Sequence, residues 1–314
     1  MRAFIVTTAA ALLSLPAFTQ QPSQSTVSIP DFSGIWAHPY IPGFEPPASG
    51  PGPVLNKSRT RVGPNAGRSA VTQYVGDYTN PILKPQAAEV VKKHGEIELS
   101  GGIAPNPQNQ CWPEPLPYVL WNPGMQMLQQ PHQITILYDY NYDIRHVRMN
   151  EPHPARVTPS WYGDSVGHYE GDTLVIDTVG IRTDRLFAMV DWFGTPYTGA
   201  LHVVERYRLL DYETAKEALE RNAKENFDFG RVPTGGDAPL RGDPNYRGKH
   251  LQLAFIVDDQ GVFTTPWSAT ITYRPGLNWR GGAAEWGEYV CAENPHKYYA
   301  GKDSAVPRAD KPDF

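Results

Sequence analysis

The residues best suited to chemistry crowd between positions 146 and 207. His153 is followed by Trp161, Tyr162, Asp164 and His168, and His202 by Glu205 and Arg206. A third polar and aromatic group joins Asp184-Arg185 to Asp191-Trp192. A histidine beside a carboxylate can take and return a proton near neutral pH with no cofactor. Tryptophan and tyrosine rings stack on an organic ligand while polar groups orient it. On that basis His168 and His202 are the candidate acid and base. Asp164 and Glu205 are the candidates to orient or charge-stabilise them, and Trp161, Tyr162, Arg206 and His153 are the candidate substrate contacts. The plainer alternative makes Glu205–Arg206 and Asp184–Arg185 solvated surface charges, with His153 packed on Pro154. Val203 and Val204 argue for a strand here. Positions three apart on a strand face opposite ways, so His202 aligns with Arg206, and Glu205 with Tyr207.

Gly163-Asp164-Ser165-Val166-Gly167 is a literal G-x-S-x-G, and Asp177 and His202 follow in the chain order of a serine triad. Such a string makes a nucleophile of its serine only on a strand-to-helix elbow. Gly167 leads instead into His168-Tyr169-Glu170-Gly171-Asp172, which reads as a hairpin turn. A hydrolase using Ser165 is therefore an alternative, set against two glycines that merely bend the chain at a barrel rim. The nine histidines make no HExxH and no tight H-x-H pair. No metal or other cofactor is expected, although His146, His168 and His202 could meet across strands without leaving a spacing in sequence. The chain has no phosphate loop, dinucleotide fingerprint or haem-attachment CxxCH.

Net charge is -5, from 33 acidic and 28 basic residues mixed along the chain. A nucleic-acid partner predicts a basic patch or domain, and none is visible. Met1-Arg2, the uncharged run 3–18 and the Ser/Gln-rich stretch to Ser28 have the order of a secretory signal peptide, with cleavage near 17–20. The run is too short for a membrane span. The expected organisation is a signal at 1–20 and one β-rich domain at 21–314, periplasmic or secreted. The two cysteines, Cys111 and Cys291, then read as a disulfide. Two separate buried thiols are the alternative. A bridge closing so long a loop stabilises by about 5 kcal/mol at most.

These groups must be positioned by short elements, because 31 prolines and 28 glycines punctuate the whole chain. Strands are expected at 29–36, 133–140, 144–149, 165–179 (a hairpin about 170–172), 201–210, 251–257 and 262–273, from their two-residue alternation. A helix is expected from Pro85 to His94 with Gly95 as its stop, and another at 211–225 opened by Asp211. Residues 41–80 and 228–248 read as extended or polar surface segments. Most strands are joined by turns rather than helices, so the fold class is mostly β. An antiparallel barrel or sandwich is expected, with insertions at about 37–130 and 211–248.

Two resemblances fit this frame. Gly34-Ile35-Trp36 on the first strand is similar to the Gly-x-Trp signature of lipocalin-like barrels, a resemblance that implies a tryptophan plugging one end. Asp31 to Trp36 (DFSGIW), Gly163 to Asp177 (GDSVGHYEGDTLVID), Leu201 to Tyr207 (LHVVERY) and Thr265 to Trp267 (TPW) resemble a set of exported bacterial proteins of unassigned function. That resemblance implies fold and compartment and no reaction. The function expected is an exported barrel that takes a small, partly aromatic or apolar molecule at its mouth. A cofactor-free lyase, isomerase or hydrolase is favoured, with a non-catalytic carrier as the alternative. An envelope-interaction protein using the tail 303–314 comes third.

Overall fold

The computed structural model describes residues 29–38, 44–57, 74–102, 104–122, 124–139, 143–184, 188–225, 240–243 and 245–278. The expected leader at 1–20, Arg185, Cys291 and the tail 303–314 lie outside the described residues.

Alternation of apolar and polar residues builds the strands. In β3 (Gln133–Tyr138) and β4 (Ile144–Met149) every second side chain is buried, and β7 (His202–Leu210) and β9 (His250–Asp258) follow the same period. Around them pair β1 (Gly34–Ala37), β2 (Gly124–Gln129), β5 (Asp164–Glu170), β6 (Thr173–Val179) and β10 (Trp267–Asn278). The order β1-β2-β3-β4-β5-β6-β7-β9-β10 returns to β1 through Trp36↔Pro275 and Ala37↔Arg274. The sheet is a closed barrel of nine strands. β8 (Leu240–Gly242) stands outside the ring on the end of β10. Every neighbouring pair in the ring is antiparallel except β4 and β5, which run parallel. A closed ring with an odd number of strands cannot alternate throughout, so one parallel seam is obligatory. Residues 150–163 cross that seam, returning along the barrel from the end of β4 to the start of β5.

The interior is packed with side chains, as expected for a small barrel. Met127, Ile134, Ile136, Val147, Leu174, Ile176, Val203, Leu253, Phe255 and Ile271 are all fully or nearly fully buried. Each such aliphatic or aromatic side chain stabilises by about 1.5–3 kcal/mol over an exposed position. Trp36 is buried too, and its indole N–H donates to the Phe32 carbonyl at 2.9 Å.

The barrel end where β5 and β7 begin is closed by the β1–β2 insertion. Phe44 packs edge-on to Trp121 and Phe255, each at 5.0 Å, and Trp121 stacks on Trp192 at 5.6 Å. The described part of 41–80 is therefore not simply a surface segment, since Phe44 and Val54 belong to the core. The insertion also ends earlier than expected, because its last residues form β2. Helix α1 (Pro85–Leu99) starts at Pro85 as expected but runs through Gly95. That glycine is present for contact: a β-carbon on it would come within 3.0 Å of Val75 Cγ1. Helix α2 (Tyr212–Glu225) buries Ala215 and Ala218 and touches β9 and β10. No helix among the described residues is long and apolar enough to cross a membrane.

Candidate functional site

Strand parity sorts the candidate residues into two sets on opposite sides of one wall. Register aligns Ser165 with Thr178, and Thr178 with Val203, all facing the interior. It aligns Asp164 with Val179, and Val166 with Asp177 and Val204, on the outside, the face that His202 shares with Val204 on β7.

The outside set forms a chain of charged groups. Arg148 on β4 holds Asp164 on β5 with two hydrogen bonds, of 2.6 and 3.1 Å, and reaches Glu151 at 3.1 Å. His153, on the crossover segment, bridges two strands: Nδ1 meets Asp164 Oδ2 at 2.6 Å and Nε2 meets Asp177 Oδ1 at 2.9 Å. Asp177 on β6 in turn takes His202 Nε2 from β7, at 3.0 and 2.9 Å to its two oxygens. The hydrogen bond that His202 donates to Asp177 raises its pKa above the ordinary 6.5, against the opposing effect of burial. The same bond lowers the Asp177 carboxyl, and Arg148 lowers that of Asp164. Among the described residues His202 Nδ1 has no hydrogen bond, and the side chain is 40% exposed.

The crossover segment is fastened over this wall. Asn150 N–H donates to the Gly167 carbonyl, Ser160 N–H to that of Gly180, and Arg182 N–H to that of Ser160. Gly180, at φ 70°, lies under Val157, whose Cγ1 would be 2.2 Å from an added β-carbon. At the end of the segment the Arg182 guanidinium sits 4.9 Å above the Trp161 ring, with Trp112 beyond it at 6.2 Å.

The inside set is a buried ion pair. Arg145 and Glu205 are 1% and 0% exposed and share two hydrogen bonds, of 3.1 and 2.5 Å. Arg145 also donates to Ser165 Oγ at 3.0 Å and Thr178 Oγ1 at 2.7 Å, while Tyr207 Oη donates to Glu205 at 2.7 Å. Burial opposes the charge on Arg145, but Glu205 outweighs it and holds the guanidinium pKa above its ordinary value.

A second buried group lies at the closed end, around the β3–β4 hairpin. Asp143 accepts from the Glu114 backbone N–H at 3.0 Å and from the Tyr162 hydroxyl. Asn122 donates to Glu114 at 2.9 Å, and Gly124 N–H to Asp139 at 3.1 Å. Burial raises Asp143 to about 6 and Asp139 to about 7. Glu114 is raised well above the carboxylate range by burial, then by the Asp143 charge.

These placements revise several expectations. Glu205 does not serve His202, because it points into the barrel and is spent on Arg145 and Tyr207. The pairing by face stands, His202 with Arg206 and Glu205 with Tyr207, and the structure shows the first pair facing out and the second in. Ser165 forms no elbow. It lies within β5, its hydroxyl bonded to Arg145 and Thr178, while Asp177 and His202 lie across the wall from it. Gly163, at φ 69°, turns the chain into β5, and Gly167 gives room to Met149. His168 is separate from His202. It bonds exposed Glu170, which also pairs with Arg206, and it stands four residues along the wall from His202, about 13 Å at the strand rise. Tyr162 turns to Asp143 instead of outward. His146 pairs with Gln133 and Thr135, and no group of three or more His, Cys, Asp or Glu among the described residues is arranged to hold a metal. Sequence reasoning missed Arg145, Arg148, Asp139, Asp143 and Glu114. It named Asp177 only as a member of a serine triad.

Comparison of the chain with protein-family models, with curated proteins and with solved structures finds no match in any of the three.

Proposed function

We propose that the protein is exported and performs cofactor-free acid–base chemistry on a small, partly aromatic molecule, with His202 as the proton-transferring group. One observation carries the reading: Asp177 grips His202 Nε2 with both oxygens while Nδ1 stays unbonded among the described residues on a partly exposed ring. The carboxylate fixes the tautomer, because Nε2 must donate to it and Nδ1 is left with the lone pair. In that state Nδ1 accepts a proton from the substrate. The imidazolium so formed is stabilised by Asp177 and returns the proton to another substrate atom. Because the interior is packed, we assign the reaction to the outer wall beside the crossover segment rather than to the barrel mouth. There Trp161 carries the Arg182 guanidinium on its face, and Arg182 is itself held by two 2.7 Å bonds to Asp184, so a substrate ring or polar group would meet an aromatic and charged cluster.

The pairing of Cys111 with Cys291 belongs to the same proposal, since a disulfide suits an oxidising compartment. The resemblance to exported proteins through DFSGIW and GDSVGHYEGDTLVID supports that compartment as well.

The test is depletion of single compounds from a mixture of small aromatic metabolites by the purified protein, followed by mass spectrometry. His202→Ala should lower turnover by roughly 10²–10⁴-fold. Asp177→Asn should move the rising limb of the pH profile to lower pH, because the group that raises the His202 pKa is gone. Unchanged turnover in His202→Ala overturns the assignment. A compound that binds wild type and is never converted makes the protein a carrier.

A further inference from the structure

Asp177 serves two imidazoles at once. One of them, His153, is carried by the crossover segment, and the other, His202, by the barrel wall. We infer that His153 is a positioning residue for His202, acting through the shared Asp177 carboxylate, so that the seating of residues 150–163 sets how readily His202 gives up its proton. This rests on the assignment of proton transfer to His202.

Hydrogen-bond bookkeeping leads to it. Both ring nitrogens of His153 face carboxylate oxygens, which only accept when ionised. Both bonds are therefore made at once only by the imidazolium. When the segment is seated and both bonds are made, the two rings share the Asp177 carboxylate, and His202 feels a partly neutralised partner. With the segment lifted, the whole carboxylate is left to His202, which becomes the stronger base. The direction follows from two cations competing for one anion.

The charged groups around the pair are defined on every neighbouring element. From β5, Asp164 faces His153, and it is itself held by Arg148 of β4, which also binds Glu151. From β6 comes Asp177, and from β9 Asp258 stands opposite His202 in register. Asp258 adds to the rise of the His202 pKa, after the bond and charge of Asp177. His153 is thus the one cation-forming group on the crossover segment among the described residues that bonds the His202 carboxylate.

The experiment is a histidine NMR titration of the full chain, which reads His202 directly and needs no substrate. In His153→Asn the His202 midpoint should move to higher pH, and amide exchange at Ser160 should quicken as the segment loosens. Asp164→Asn leaves His153 in place but removes the partner that holds it, and should shift His202 the same way, only less. His168→Asn is the control and should leave the His202 curve where it is. Superimposable His202 curves for wild type and both of the first two variants would overturn the coupling, and so would a shift to lower pH. A shift in the expected direction together with full turnover in His202→Ala would keep the coupling and remove the catalytic assignment, so the two failures are distinguishable.

Discussion

The inner and outer sides of the same wall hold similar groups under opposite conditions. Arg145 and Arg148 are three residues apart on β4, and His202 and Glu205 three apart on β7, so in each case one faces in and one out. Inside, Arg145 and Glu205 are fully desolvated, and their remaining bonds go to Ser165, Thr178 and Tyr207. Outside, Arg148, Asp164, His153, Asp177 and His202 are joined just as continuously, yet each is partly wet. Burial turns charge into structure, because a buried ion cannot lose its partner without leaving an uncompensated charge. Partial exposure leaves the proton exchangeable, which acid–base chemistry requires. The difference separates a pair locked by burial from a chain of groups open to water.

The largest expected effect breaks the inner side. Glu205→Ala should cost about 3–5 kcal/mol in urea unfolding, because Arg145 is left buried and unpaired. Replacing both partners, as Arg145→Met with Glu205→Leu, should recover most of that loss. A single-variant cost under about 1 kcal/mol would erase the contrast between the two sides.

The next effect concerns buried carboxyls that have no cation beside them among the described residues. Asp139 and Asp143 have folded pKa values of about 7 and about 6, raised by burial from 3.8. The folded state therefore holds protons that the unfolded chain has released. Their stabilising contribution is complete below about pH 4 and is lost as pH rises through 6 and 7. Unfolding free energy measured from pH 4 to 8 should fall by an amount on the order of a few kcal/mol. Asp139→Asn should flatten the upper part of that slope. A wild-type curve that rises steadily from pH 4 to 8 would refute this account of the closed end.

The smallest effect marks the far edge of the outer wall. His168, Glu170 and Arg206 are joined in the open, so Arg206→Ala should change stability by less than about 1 kcal/mol. His168→Ala should leave turnover intact. A large loss of activity in His168→Ala would return it to the site and move the working region along the wall.

The β fold was legible in the sequence because alternation survives wherever one face is core. QITILY, LHVVERYRLL and LQLAFIV each carry it clearly, and once Val203 and Val204 marked β7 as a strand, His202 paired with Arg206 and Glu205 with Tyr207. β2 escaped because GMQMLQ has no β-branched or aromatic residue to signal a strand, although Met125 and Met127 are buried. Arg145 escaped for a different reason. In IRHVRM either face holds two apolar residues or one, but only the pairing with Ser165 and Thr178 shows that the arginine lies on the buried face. The candidate site was half legible. His153, Asp164 and His202 were picked for their types, whereas Asp177 was visible only as part of a triad that the wall divides. Asp139 read as the polar face of a strand, and Asp143 and Glu114 as turn and loop acids, because nothing local reveals that the hairpin and the insertion will bury them.

The parallel seam between β4 and β5 has a consequence beyond closing the ring. In an even-numbered barrel every neighbour can be antiparallel, and a tight turn suffices between successive strands. Here the odd count forces the chain to travel the length of the barrel once, and the packed interior sends that passage over the outer surface. The passage brings His153 to Asp164 and Asp177. Adding or deleting a single strand would remove the need for it, and with it the imidazole that joins the two carboxylates. The place of His153 on this wall is, in that sense, a by-product of arithmetic.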